Sequence, residues 1–238
     1  MARIYSHLSQ VYDLGWGDFS KQYVSLINGL LEERSIARAR ILDLACGTGT
    51  LAIELARSGH FVQGIDISPE MIRIAKSKSP RLLKQSFKVA DLTSFPVKGK
   101  FDLVTCTFDS INYLVSIDDL REAINRIAYA LIPSGLFVFD SNTKRLYQSY
   151  HQETQKRSLG GQSLIQCCNY DPVSNEATVE FLFPDGNTEV HKQRPYDRKE
   201  LEPIMSNAGF RILKLLSWFD GRSYSSKTEK LFCIAEKK

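Results

Sequence analysis

An α/β fold, a mostly parallel sheet with helices on both faces, follows from three features of the sequence. Between residues 36 and 140, short apolar runs alternate with amphipathic helical stretches, and parallel strands need such crossover helices. The first run, RILDLACGTGT at 40–50, ends in a glycine turn, which lets the backbone bend sharply and a ligand come close at the strand end. After residue 142, alternating strands bounded by turn residues take over, predicting a small antiparallel β insertion after strand five. With 238 residues, 43% of them hydrophobic, the chain can form one large domain with such an insertion. The expected main domain is 1–142 plus 197–238, and the insertion is 143–196.

The chain begins with Tyr5, Tyr12, Trp16 and Phe19, followed by Val24, Ile27, Leu30 and Leu31 at helical spacing. Two readings stay open. A helix pair caps the sheet edge with its aromatics, or a flap closes over a ligand, with ring faces attracting cationic groups.

The first strand is read at 41–45 and the next helix from Thr50 to about Gly59. Gly47, Gly49 and Ala52 fit the dinucleotide spacing G-x-G-x-x-G/A. Asp43 argues for a different ligand, because its carboxylate would repel a pyrophosphate and attract an ammonium. S-adenosylmethionine carries an ammonium, a sulfonium and no phosphate. The plainer role for Asp43 is to bond amides of the turn.

The second strand, 61–67, carries Asp66, 17 residues after Gly49, where an acid hydrogen-bonds ribose hydroxyls. Ser68-Pro69-Glu70 then caps and starts a helix. Met71 is either core or nucleoside contact. Arg73, Lys76, Lys78, Arg81 and Lys84 read as a solvated face, without the aromatic platform that binds single strands. The third strand, 87–90, is followed by Asp91, whose carboxylate suits the adenine amine, and by Leu92, whose amide suits a ring nitrogen. Three acids at three consecutive strand ends form one site at one sheet edge. Ala45, Ile67 and Thr107 beside those ends complete the expected cofactor set.

The fourth strand, 101–106, runs into Asp109 and Tyr113, candidates to orient an acceptor. Ser116-x-x-Asp119 caps a helix carrying Ile117, Leu120, Ile124, Ile127 and Leu131. A turn at 133–135 leads to the fifth strand at 136–140. The insertion is read as a short helix at 144–151 and strands at 164–170, 177–183 and 188–196. It serves either as a structural extension or as a lid carrying acceptor specificity. His191, Arg194 and Tyr196 are acceptor candidates within it. A helix at 198–207 and strands at 211–219 and 231–236 close the chain, giving seven strands in the main sheet.

Net charge is +4 with acids and bases mixed, which argues against a nucleic-acid partner. The start shows no signal-peptide pattern, and no apolar run approaches the ~18 residues of a membrane helix. Five cysteines without metal-ligand spacing indicate no metal and reduced thiols in a cytoplasm.

The segments LDLACGTGT, GIDIS, ADLTSF, TFDSINYL and LIPSGLFVFD together resemble the motifs of class I S-adenosylmethionine-dependent methyltransferases. That resemblance implies a Rossmann-like fold and S-adenosylmethionine as cofactor. VYDLGWGDF and the late antiparallel insertion are similar, more narrowly, to small-molecule N-methyltransferases of the sugar-amine and glycine N-methyltransferase groups. In those, N-terminal aromatics close over the cofactor, which implies the same for Tyr5 and Tyr12. The Asn-Pro-Pro-Tyr or Asp-Pro-Pro-Tyr segment of many enzymes that methylate base or glutamine amines is absent after strand four. The expected activity is methyl transfer to a small-molecule acceptor, an amine, by in-line displacement, with Asp109, Tyr113 and His191 as catalytic candidates. Competing readings are a non-catalytic S-adenosylmethionine or S-adenosylhomocysteine binder, an RNA methyltransferase, and an NAD-dependent dehydrogenase. The expected assembly is a monomer or homodimer.

Overall fold

The computed structural model describes residues 4–17, 19–218 and 221–238. Asp18 of the N-terminal motif and the strand end expected at Phe219 lie outside them. Two helices, α1 (Tyr12–Trp16) and α2 (Phe19–Glu33), precede the alternating part. There β1 (Arg40–Leu44), α3 (Thr50–Arg57), β2 (Phe61–Asp66), α4 (Pro69–Lys78), β3 (Phe87–Val89), β4 (Phe101–Cys106), α5 (Ile117–Ala130) and β5 (Leu131–Asn142) follow one another. The chain ends with α7 (Arg198–Asn207), β10 (Phe210–Ser217) and β11 (Lys230–Lys237). The main sheet has seven strands in the order β10-β11-β5-β4-β1-β2-β3. All pairs are parallel except those that β11 makes with β5 and β10.

Strands buried on both faces need apolar residues at successive positions, and β5 supplies them. Phe137 and Phe139 face a core with Val104 and Ile124, whereas Val138 faces Ile41, Leu103 and Ile27 of α2. The polar ends of these strands therefore gather at the sheet's edge, where the site lies. Strand β5 begins at Leu131, earlier than its apolar run suggests. The expected turn at 133–135 is taken up inside the strand as an irregularity, with the register moving from Phe101↔Leu131 to Leu103↔Leu136 and Ser134 at φ 62°.

Between β5 and α7 lie α6 (Lys144–Ser149) and a second, antiparallel sheet. It has four strands in sequence order: β6 (Glu153–Leu159), β7 (Gln162–Asp171), β8 (Glu176–Leu182) and β9 (Thr188–Gln193). The sequence reading had three. Strand β6 is ETQKRSL, an edge strand with little apolar content, and only its ladder with β7 identifies it. This sheet buries Leu164, Cys168, Val179 and Phe181 against Tyr147 and against Leu8 and Val11 of the N-terminal segment. The aromatic start thus packs on the insertion, while Tyr12 and Trp16 also line a cleft at the end of β1 in the main sheet. Among the described residues, no helix is long and apolar enough to cross a membrane.

Candidate functional site

The loop after β1 turns through three left-handed residues, Ala45 at φ 50°, Gly47 at 54° and Gly49 at 76°. For alanine that conformation costs energy and persists only where its surroundings hold it, as functional sites often do. Asp66 supplies part of the hold. Its Oδ2 accepts from the Gly47 amide at 2.8 Å and its Oδ1 from the Ser68 amide at 2.8 Å. Burial raises its pKa, opposed by those two amides. Asp13 of α1 adds a second tie: it accepts from the Thr50 hydroxyl at 3.1 Å and pairs with Lys78. Lys78, exposed as a solvated face requires, also helps fasten α1 to the glycine loop. Gly49 has a packing role. A Cβ there would meet the Ala75 Cβ at 2.9 Å and the Phe87 ring at 3.0 Å.

Asp43 is 2% exposed. Its Oδ1 accepts from the Thr105 hydroxyl at 2.7 Å, and its Oδ2 has no hydrogen-bond partner. Burial pushes its pKa up to about 7, Thr105 opposing and Asp66 adding. A buried, half-satisfied carboxylate is costly, and a hydrogen-bond donor or a cation at Oδ2 would satisfy it. Asp43, Ala45 and Thr107 line a narrow cleft. Through Ala45, Gly47 and Tyr12 the cleft adjoins a cavity of about 640 Å³ lined by Asp66, Ile67, Met71, Asp91 and Leu92. Asp91 closes a local turn, its Oδ1 accepting from the Thr93 amide at 2.7 Å.

Tyr5, Tyr12 and Tyr113 line that cavity and also a second one, of about 420 Å³, so they form the wall between the two. Asp109, His191, Tyr147, Gln193 and Lys230 border the second cavity. Phe108 and Asp109 are left-handed, at φ 60° and 49°. Asp140, at the end of the apolar run of β5, holds both: its two carboxylate oxygens accept from their amides at 2.7 Å each. Lys230 lies 2.8 Å from both Asp109 and Asp140. Burial disfavours its charge, but the two carboxylates outweigh this and raise its pKa. Asp109 thus shares one ammonium with Asp140, which leaves the pair of carboxylates one negative charge in excess, and it also accepts from Gln193 at 3.0 Å.

Tyr113 contacts His191 Nδ1 at 2.8 Å and the Tyr5 hydroxyl at 2.6 Å. Arg194 and Tyr196, expected near the acceptor, are structural. Arg194 pairs with Glu200 at 2.6 Å, and the buried Tyr196 hydroxyl donates to the Leu114 carbonyl. Lys230, Tyr147, Gln193 and Asp13 went unrecognised in the sequence. Asp140 carried a usable signal, since it follows an apolar strand as the other three acids do.

The fold and its strand-end acids define a nucleoside-binding α/β enzyme. Residues 41–135 match the family described as a methyltransferase domain. YqeM of Bacillus subtilis strain 168, itself a provisionally assigned methyltransferase, is 30% identical over 247 residues, covering 98% of this chain and 97% of its own. A dTDP-3-amino-3,6-dideoxy-α-D-glucopyranose N,N-dimethyltransferase of Streptomyces fradiae is 32% identical over 137 residues, 56% of this chain and 52% of that one. The crystal structure of an S-adenosylmethionine-dependent methyltransferase from Clostridium acetobutylicum ATCC 824 superposes with a TM-score of 0.80 at 24% identity, covering 99% of each chain. The chain belongs to the class I S-adenosylmethionine-dependent methyltransferases. S-adenosylmethionine is its methyl donor, and the orphaned Asp43 Oδ2 fits that group's ammonium.

Asp66→Ala should weaken S-adenosylhomocysteine binding about tenfold, the value of a hydrogen bond to a charged group. Isothermal calorimetry of the variant checks this, and unchanged affinity would remove Asp66 from the cofactor site.

Proposed function

We propose that the protein transfers the methyl group to a small-molecule amine held in the second cavity. The observation that carries this reading is an aromatic chamber meeting the cofactor cavity across a wall of tyrosines, with Asp109 in its lining. Aromatic faces and a carboxylate suit a cationic amine. The amino-sugar relative supports the same acceptor class.

In this reading Asp66, Ile67, Met71, Asp91 and Leu92 bind the adenosine, and Asp43, Ala45 and Thr107 hold the methionyl part. S-adenosylmethionine supplies a methyl already activated by its positive sulfur. The protein's work is to hold the acceptor on line, exclude water and manage a proton. Asp109, paired with Lys230, orients the acceptor, and Tyr113 and His191 face its nitrogen. Residues 143–196 act as the acceptor-side lid.

Incubation with methyl-labelled S-adenosylmethionine and dTDP-3-amino-3,6-dideoxyglucose, beside simple primary and secondary amines, tests the assignment. Labelled N-methyl product in any amine arm is the expected result. Label appearing only in hydroxyl or carboxylate acceptors run in parallel would overturn the amine reading. S-adenosylhomocysteine binding without transfer to any acceptor would favour a sensing role.

A further inference from the structure

Glu189 lies on β9, fully buried, yet its carboxylate collects five donors. Oε2 accepts from the Tyr5 amide at 3.0 Å and lies 3.2 Å from His191 Nε2. Oε1 accepts from the Ser6 hydroxyl at 3.0 Å, the Leu8 amide at 3.1 Å and the His7 amide. Burial alone would raise its pKa, but His191, these amides and the serine bring it down to about 2. Glu189 is therefore an anion that only accepts.

That one fact orders the neighbouring bonds. His191 Nε2 must carry a proton to donate to Glu189. In neutral imidazole the other nitrogen, Nδ1, is then the acceptor. The Tyr113 hydroxyl, 2.8 Å away, donates to Nδ1. With its hydrogen committed, Tyr113 accepts from the Tyr5 hydroxyl at 2.6 Å. The lone pairs of Tyr5 Oη remain to accept, and Tyr5 belongs to the wall shared by the two cavities.

We propose that Tyr5, Tyr113 and His191 form a proton relay that enters at Tyr5 Oη, and that Glu189 is the positioning residue that sets its direction. The proposal rests on the amine reading above. An amine held as an ammonium has no lone pair for methylation. It gives its proton to Tyr5 Oη, while the Tyr5 proton passes to Tyr113 and the Tyr113 proton to His191 Nδ1. The products are the neutral amine and an imidazolium beside Glu189, so the proton count is conserved. Other groups facing the relay are Tyr12 and His7 from the N-terminal segment, Tyr147 from α6, Asp66 at the end of β2, and Asp109, which shares Lys230 with Asp140.

Nitrogen NMR of histidine-labelled protein, without ligand and with S-adenosylhomocysteine, reads the tautomer directly, the signal being assigned with His191→Gln. His191 should be protonated at Nε2 in the native protein and lose that preference in Glu189→Gln. Glu189→Asp, which keeps the charge, should restore part of it. Amide exchange at Tyr5, His7 and Leu8 should quicken about tenfold in Glu189→Gln, the scale of a lost charge-assisted bond. With an amine that turns over, the kcat deficits of Glu189→Gln and Tyr5→Phe should shrink as pH approaches the amine's own pKa, where no relay is needed. A native His191 protonated at Nδ1, or deficits that stay the same at every pH, would overturn the relay. Failure of the native protein to bind S-adenosylhomocysteine would count against the functional reading instead, because the tautomer is also read without ligand.

Discussion

Replacing Asp43 with asparagine should weaken S-adenosylhomocysteine binding about 100-fold while making the unliganded protein more stable above pH 7. Both effects come from the same orphaned oxygen. Asp43 Oδ2 has no partner and is buried, so a bound ammonium would gain a nearly unscreened countercharge. Losing a partner of that kind costs about 3 kcal/mol, or roughly 100-fold in Kd. Without ligand the same carboxylate is a burden. Its folded pKa is about 7, against about 3.9 in an unfolded chain. The stability it contributes as a neutral acid is fully present below about pH 4 and is lost as pH rises through about 7. Asparagine removes that dependence, so the variant's advantage in thermal unfolding should be absent at pH 4 and greatest at pH 8. Titration calorimetry and melting curves across this range check both arms. A variant that binds normally would show that Asp43 does not meet the ammonium.

Lys230→Met should lower unfolding free energy by about 3–5 kcal/mol, the cost of removing one partner from a buried charge network. Two carboxylates depend on this ammonium: Asp140, fully buried, and Asp109. Asp140 also holds the left-handed Phe108 and Asp109 and accepts from the Tyr23 hydroxyl at 2.6 Å. The loss should therefore reach the second cavity, which Phe108 and Asp109 line. Adding Asp109→Asn to the variant removes one uncompensated charge and should recover part of the stability. Urea denaturation of the two variants measures this. A loss below about 1 kcal/mol would mean that the turn at 107–110 is held by its backbone bonds alone.

The strand-end half of the candidate site was legible because its residues are local to single strand ends. Asp43, Asp66 and Asp91 each follow an apolar run, and parallel topology brings those ends to one edge. The second cavity was not legible in this way. Lys230 meets Asp109 across 121 positions, and Glu189 meets Tyr5 across 184. No spacing rule reaches over such distances. Gly49 fitted a binding motif by spacing, yet Ala75 and Phe87 press on it, so close packing explains it. Strand β6 was missed because an edge strand paired on one side can be polar, and it then leaves no alternating signal.

By itself, then, the sequence determined the alternation of strand and helix, the glycine turn and the acids at the strand ends, since each depends on neighbours within a few residues. Only the tertiary structure decided which buried groups have partners. It left Asp43 Oδ2 without one, paired Asp109 and Asp140 with the single ammonium of Lys230, and gathered Tyr5, His7, Leu8 and His191 around Glu189. A charge's behaviour depends on its burial and on the groups within a few ångströms, and folding brings those groups from distant parts of the chain.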